Sequence, residues 1–271
     1  MAGRPYVLNE VTLRASREVN YEVAILPWGA TEPHNLHLPF GTDSIQAESI
    51  AAETARLSWE AGARVVVLPT IPLGANAQQL STPLTLNLDP STQARILEDI
   101  VGSLEHHSVP KLVILNGHGG NDFRQMIREL QSRTEVFLCA ANWYTVVDPT
   151  SYFDIPGDHA GELETSIMLH VSSHLVLPLT EAGDGRAKVF KVRGLREGIA
   201  WAPRDWAQVT ADTGVGDPSA ASSEKGSRFF TAVTERLAAF VTELAEADVR
   251  HMYEPPADEG SAPPHGESVH E

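Results

Sequence analysis

Two carboxylates and two imidazoles, Glu32, His34, His37 and Asp43, stand within residues 32–43, directly after the apolar run Val23-Ala24-Ile25-Leu26. Neutral imidazole and carboxylate are the ligands that zinc and manganese select. A soluble chain has little structural reason to crowd such groups beside a buried strand. Glu32 and His34 are two apart, and Pro33 between them forbids a helix interior. The segment therefore reads as extended, with both side chains on one side. Asp43 follows the turn at Gly41 and can fold back on them. For His37, direct ligation and a hydrogen bond to a ligand are both open. The segment is half of a metal site, and the other half must come from elsewhere.

His118 lies in Asn116-Gly117-His118-Gly119-Gly120-Asn121, after a second apolar run. Flanking glycines let the backbone pass close to a metal or substrate. A plain strand-to-helix turn has the same composition, but the Glu-x-His segment at the same sheet edge favours the ligand reading. A third cluster is Asp158-His159-Ala160-Gly161-Glu162-Leu163-Glu164-Thr165. Glu162 reads as a helix-start charge. Glu164 precedes the apolar Ile167, Met168 and Leu169 and can point inward, where a buried carboxylate needs a partner. His159, in the loop before this helix, is placed as a general acid or base. Glu32, His34, Asp43, His118 and Glu164 exceed one four-coordinate zinc site. They suit two metals sharing a carboxylate, with Asp43 as the bridge. Such a pair holds a bridging hydroxide at neutral pH, a nucleophile for a carbonyl centre. The other histidines read as surface or core residues.

These groups must be positioned by alternating strands and helices. The apolar runs 23–26, 64–69, 111–115 and 136–141 read as strands buried on both faces. Amphipathic stretches at 42–61, 89–106, 122–134, 162–174 and 228–252 read as helices. The alternation implies βαβ units, and the expected fold is a three-layer α/β/α sandwich with a mainly parallel sheet. Ligands in such sheets bind beyond the carboxyl ends of the strands, where residues 32–43 and 116–121 fall. Residues 195–226, with Trp201 and Trp206, read as one long structured loop, a lid or subunit contact. Residues 1–253 are expected to form a single domain, and 254–271, rich in proline and acids, a disordered tail.

The 271 residues carry a formal charge of -16, which argues against a nucleic-acid or anionic-membrane surface. Hydrophobic residues make up 42%, enough for a sizeable core. With Cys139 as the single cysteine, no intrachain disulfide is possible. The first residues lack the apolar core of a signal peptide, and no run approaches the roughly 18 apolar residues of a membrane span. The expectation is a soluble, cytoplasmic protein.

Pro27-Trp28-Gly29-Ala30-Thr31-Glu32-Pro33-His34-Asn35-Leu36-His37-Leu38-Pro39-Phe40-Gly41-Thr42-Asp43 resembles the signature of the creatininase (creatinine amidohydrolase) family. So do Asn116 to Asn121, His159 to Ser166, and Gly214-Val215-Gly216-Asp217-Pro218 followed by Glu224-Lys225-Gly226. The resemblance spans residues 20–230. It implies a three-layer α/β fold, two divalent ions per chain (zinc, manganese or iron), hydrolysis of non-peptide C–N bonds, and a homo-oligomer such as a hexamer. By motif position it implies that Glu32, His34, Asp43 and His118 are metal ligands and His159 the proton-transferring histidine. It places Glu164 near the metals, where it completes the second ion's shell or acts in catalysis. Gly119 N–H would help hold the oxyanion, and Gln78, Trp143 and Tyr144 would line the substrate.

Three departures point away from creatinine itself. Creatininase proper has an aromatic residue and a ligand glutamate where this chain has Gly119 and Gly120. Gln78-Gln79-Leu80-Ser81-Thr82-Pro83-Leu84-Thr85 replaces the common Glu-His and Phe-Pro-Gly-Thr elements, and Pro33-His34-Asn35 replaces Gln-His-Gly. The expected activity is therefore hydrolysis of a small, cyclic amide or formamide. The alternative is opening of a cyclic ketone or lactone such as a ketoinositol. A non-catalytic metal-binding oligomer is a third reading, against which the presence of His159 counts.

Overall fold

A computed structural model of the chain describes residues 3–256. Its sheet has strands β1 (Val23–Trp28), β2 (Val65–Val67), β3 (Lys111–Asn116) and β4 (Phe137–Asn142). They lie in the order β2-β1-β3-β4, and every pair is parallel. Trp28 pairs with Asn116 and Asn116 with Asn142, so three strands end level. The flanking helices are α1 (Thr42–Glu60), α2 (Pro90–His106), α3 (Arg124–Gln131), α4 (Glu162–Val171) and α5 (Ser223–Glu246).

Successive strand residues point to opposite faces, and this sorts the core into two layers. Val23, Ile25, Val113 and Leu115 pack with Ile50 of α1, Ile167 of α4 and Phe229 of α5. Ala24, Leu26, Leu112 and Ile114 pack with Leu97 and Val101 of α2 and Leu130 of α3. The fold is the three-layer α/β/α sandwich that the apolar runs imply. Each fully buried Val, Leu or Ile contributes about 1.5–3 kcal/mol, so the two central strands anchor the layers. Cys139 is half-buried, and burial pushes its thiol up to about 12. Among the described residues no helix is long and apolar enough to cross a membrane.

The structure differs from the sequence expectation in residues 195–226. Trp206–Val209 forms a helical turn, Val215 pairs with His159 in an antiparallel bridge, and the last residues belong to α5. The Ser222 hydroxyl accepts from Lys225 N–H at 3.2 Å and starts α5 at Ser223, not at 228. Serine and glycine made this stretch read as loop, yet Gly226 is helical for a packing reason. A Cβ there would overlap the Ser166 carbonyl, so its absence lets α5 cross α4 in direct contact. From residue 257 the expected tail lies outside the described residues.

Two glycine substitutions separate packing from helix propensity. Gly226→Val is expected to destabilise by at least about 2 kcal/mol, because backbone cannot yield as a flexible side chain does. Gly102→Ala, on α2 with open space around it, should stabilise by about 0.5–1 kcal/mol. Urea denaturation of both variants measures this, and equal effects would refute the close crossing of α4 and α5.

Candidate metal centre

The cluster lies beyond the carboxyl ends of β1 and β3. The chain leaves β1 and reaches Glu32 and His34, and it leaves β3 and reaches His118. Asp43 comes from the first turn of α1, His159 from the loop before α4, and Glu164 from the first turn of α4. All are buried except Glu164, whose side chain is 17% exposed.

Asp43 faces both ring systems. Its Oδ1 is 2.9 Å from His34 Nε2, and its Oδ2 is 3.2 Å from His118 Nδ1. Glu32 Oε1 is 2.8 Å from His118 Nδ1 and 3.9 Å from His159 Nδ1. Glu164 Oε1 is 3.9 Å from His34 Nε2, while its Oε2 accepts from Ala160 N–H. Three sets have ligand atoms within 4.8 Å of one another: Glu32, Asp43 and His118; His34, Asp43 and Glu164; Glu32, His34 and His159. The first two share Asp43, as a pair of ions with a bridging carboxylate requires.

Backbone carbonyls fix which ring nitrogen faces the cluster. His34 Nδ1 donates to Glu32 O at 3.1 Å, His118 Nε2 to Ala75 O at 3.2 Å, and His159 Nε2 to Pro33 O at 2.9 Å. The remaining nitrogens, Nε2 of His34 and Nδ1 of His118 and His159, point at carboxylates. This is the arrangement by which outer hydrogen bonds orient ligand imidazoles. Gly120 makes room for it, since a Cβ there would overlap both His118 Nε2 and the Ala75 carbonyl. Ala160 holds a left-handed backbone at φ 52° between His159 and α4. Such strain in a buried alanine clusters at functional sites.

Burial opposes a charged His34, but Asp43, Glu164 and Glu32 outweigh it and raise its pKa to about 10. His118 rises well above its ordinary value against the same burial, chiefly through Glu32 and Asp43. Burial favours a neutral Asp43, yet His34 and His118 hold it well below the carboxylate range. Burial raises the Glu164 carboxyl despite His34 and His159. The donor set fits divalent ions. Its ring nitrogens converge on carboxylates, and the buried Asp43 Oδ2 lacks a well-directed hydrogen-bond partner among the described residues.

Other candidates sit further out. His37 is not in the cluster; its Nε2 meets the Thr165 hydroxyl at 2.9 Å, and burial lowers its pKa to about 4. Glu162 binds Lys225 and accepts from Asp154 and Ile155 N–H, tying α4 to α5. Trp143 is fully enclosed beside Phe229, with its indole nitrogen next to Gly117. Tyr144 is half-buried; burial first, then Asp43 and Glu164, pushes its hydroxyl up to about 12. A Cβ on the exposed Gly119 would lie 4.0 Å from that hydroxyl. Gln78 is half-exposed, and Gln79 beside it is buried.

Trp206 is the residue whose contact the sequence did not reveal. Its ring lies edge-on to His159 at 4.8 Å between centroids, and His159 stacks on His34 at 4.3 Å. Arg204 lies over Trp206 at 5.5 Å and binds Asp158 with both terminal nitrogens. A tryptophan amid glycine, proline and aspartate was the available signal.

Fold and cluster together define an α/β protein with a buried cluster of candidate metal ligands at the carboxyl edge of its sheet. The family model described as creatinine amidohydrolase matches residues 9–241, and the chain belongs to this creatininase family, a family of hydrolases. A crystal structure of a candidate creatinine amidohydrolase from Bacteroides fragilis is 46% identical. It covers 92% of this chain and 99% of that one, with a TM-score of 0.88. The mycofactocin precursor peptide peptidase of Mycobacterium tuberculosis is 30% identical over 222 residues, 78% of this chain and 81% of that protein. A creatininase variant in a zinc–zinc form is 25% identical, covers 89% of this chain and 99% of that one, and has a TM-score of 0.72. Another creatininase structure is a manganese form.

The raised His34 pKa sets a pH window for metal-free protein. The charge pairing stabilises fully below the unfolded value of about 6.5 and is lost as pH rises towards about 10. The metal-free Tm should fall across that window by at least about 4 °C more than in His34→Gln. Thermal scans at several pH values measure it, and parallel slopes in the two proteins would contradict the assignment.

Proposed function

We infer that the chain is a binuclear metal-dependent hydrolase that cleaves an amide C–N bond. The observation that carries this is Asp43 presenting one oxygen to His34 and the other to His118. Glu32, Asp43 and His118 would hold one ion, and His34, Asp43 and Glu164 the other. When bound, the ions lower the pKa of water enough to supply a nucleophile at neutral pH and polarise the substrate carbonyl.

The chain's own residues account for the rest. His159 Nε2 is committed to the Pro33 carbonyl, so Nδ1 is the atom that exchanges protons. It faces Glu32 and can deliver a proton to the leaving nitrogen. Gly119 has an exposed backbone beside the cluster, and its N–H is available to the developing oxyanion. Enclosure of Glu32, His34 and Asp43 keeps bulk water from the charges and strengthens their interactions. The amidohydrolase and peptidase names of the relatives both denote attack at an amide carbonyl, which supports the C–N reading over ring-ketone opening.

The test is a screen of cyclic amides, formamides, short peptides and ketocyclitols with added zinc or manganese. Metal-dependent amide hydrolysis is expected, and turnover of ketocyclitols alone would overturn the C–N assignment. His159→Ala should lower kcat at least about 100-fold with unchanged metal content by elemental analysis. Unchanged turnover would remove His159 from the mechanism.

A further inference from the structure

The His159 imidazole is pinned at two points, and two points do not fix the plane of a ring. Its Cβ is carried by a backbone bridged to Val215: His159 N–H donates to Val215 O at 3.2 Å, and Val215 N–H donates back to His159 O at 2.8 Å. Its Nε2 donates to Pro33 O at 2.9 Å. A ring held at Cβ and Nε2 can still turn about the line between them, because the χ2 torsion of histidine has broad wells. Nδ1 lies off that line and swings with the turn. Glu32 Oε1 stands 3.9 Å from Nδ1, beyond hydrogen-bond distance, and so does not stop it. The direction of Nδ1 is therefore set by what touches the ring.

Two rings touch it. His34 lies at 4.3 Å between centroids with 33° between the planes, and Trp206 at 4.8 Å with 61°. His34 is occupied by its own contacts, Glu32 O at Nδ1 and Asp43 at Nε2. Trp206 is 8% exposed and comes from a separate segment. That segment is tied to the one carrying His159. Asp158, the neighbour of His159, accepts from both terminal nitrogens of Arg204, and Arg204 lies over the Trp206 ring at 5.5 Å. At the far end of the Trp206 turn, Lys188 N–H donates to Val209 O at 2.8 Å, and the turn packs against Ala77–Gln79. A buried, rigid indole held in this way is a wall against which the imidazole cannot turn.

We propose that Trp206 is a positioning residue for the proton transfer: its ring blocks rotation of the His159 imidazole about the Cβ–Nε2 line and keeps Nδ1 aimed into the cluster, on the side of Glu32. A misplacement of about 1 Å at a reacting group costs on the order of 100-fold in rate, and a turning imidazole moves Nδ1 by that much. The loss falls on the step that puts a proton on the leaving group, rather than on attack at the carbonyl. The proposal rests on the reading of His159 as the proton donor and adds the residue that aims it.

Zinc-loaded wild type, Trp206→Ala and Trp206→Phe are compared on p-nitroacetanilide and p-nitrophenyl acetate, with Tm and metal content taken on the same samples. The anilide must gain a proton to leave as an amine, whereas nitrophenolate leaves without one. The ratio of kcat on the anilide to kcat on the ester should fall at least about tenfold in Trp206→Ala, and Trp206→Phe, which keeps a ring, should restore most of it. A packing role alone would lower Tm and both rates together, and an unchanged ratio overturns the proposal. Crystal structures of the three proteins read the ring directly. His159 should hold one orientation in wild type and Trp206→Phe, and should be turned or in several orientations in Trp206→Ala. The wild-type orientation retained in Trp206→Ala overturns the proposal whatever the rates. A wild type that turns over neither probe, or the ester alone, counts against the amide-hydrolase reading by itself, and the crystals still decide Trp206.

Discussion

Asp43 is enclosed at the start of α1 with one oxygen against His34 and the other against His118. A carboxylate taken out of water needs partners that compensate the lost hydration, and much of the local architecture serves this one. The first turn of α1 places its positive end at the carboxylate. Gly117 lets α1 approach β3, because a Cβ there would come within 2.8 Å of the Asp43 carbonyl. The level ends of β1, β3 and β4 bring the segments carrying Glu32 and His118 to one height. Removing one partner would leave the others as buried, uncompensated charges, so the centre behaves as a unit.

Enclosure is the second constraint. A buried centre strengthens each electrostatic contact, yet a substrate must reach it. The covering element over His159 is the Trp206 turn, held by the Arg204–Asp158 ion pair and the stacking of Arg204 on the indole. That ion pair is partly exposed, and such pairs contribute little to stability. The turn is held chiefly by the buried Trp206 ring against His159 and by the Lys188 N–H to Val209 O hydrogen bond at 2.8 Å.

Much of this was legible in the chain. β-branched runs gave the parallel sheet, and Glu32-Pro33-His34 gave two candidate ligands that the fold brings into one buried cluster. Glu164 was distinguishable from Glu162 because it precedes the apolar residues of α4. The rest depended on contacts between distant segments. Trp143 follows a strand, and its enclosure beside Phe229 could not be read from the sequence. Gln78 and Gln79 are chemically identical, and only the turn geometry decides which one is enclosed. His37 could have been a ligand by type and spacing; Thr165, reached only through the fold, engages it instead. The start of α5 was hidden because glycine usually weakens helices, whereas Gly226 is required where α5 crosses α4.

The bridging position of Asp43 is tested most directly by counting ions. Metal-free protein is dialysed to equilibrium against zinc, and elemental analysis gives the ions retained per chain, in parallel with Asp43→Asn. If one carboxylate serves both ions, the wild type retains about two and the variant fewer than about one, since both positions lose a charged ligand. A wild type that saturates at a single ion, or a variant that keeps both, would contradict the shared carboxylate.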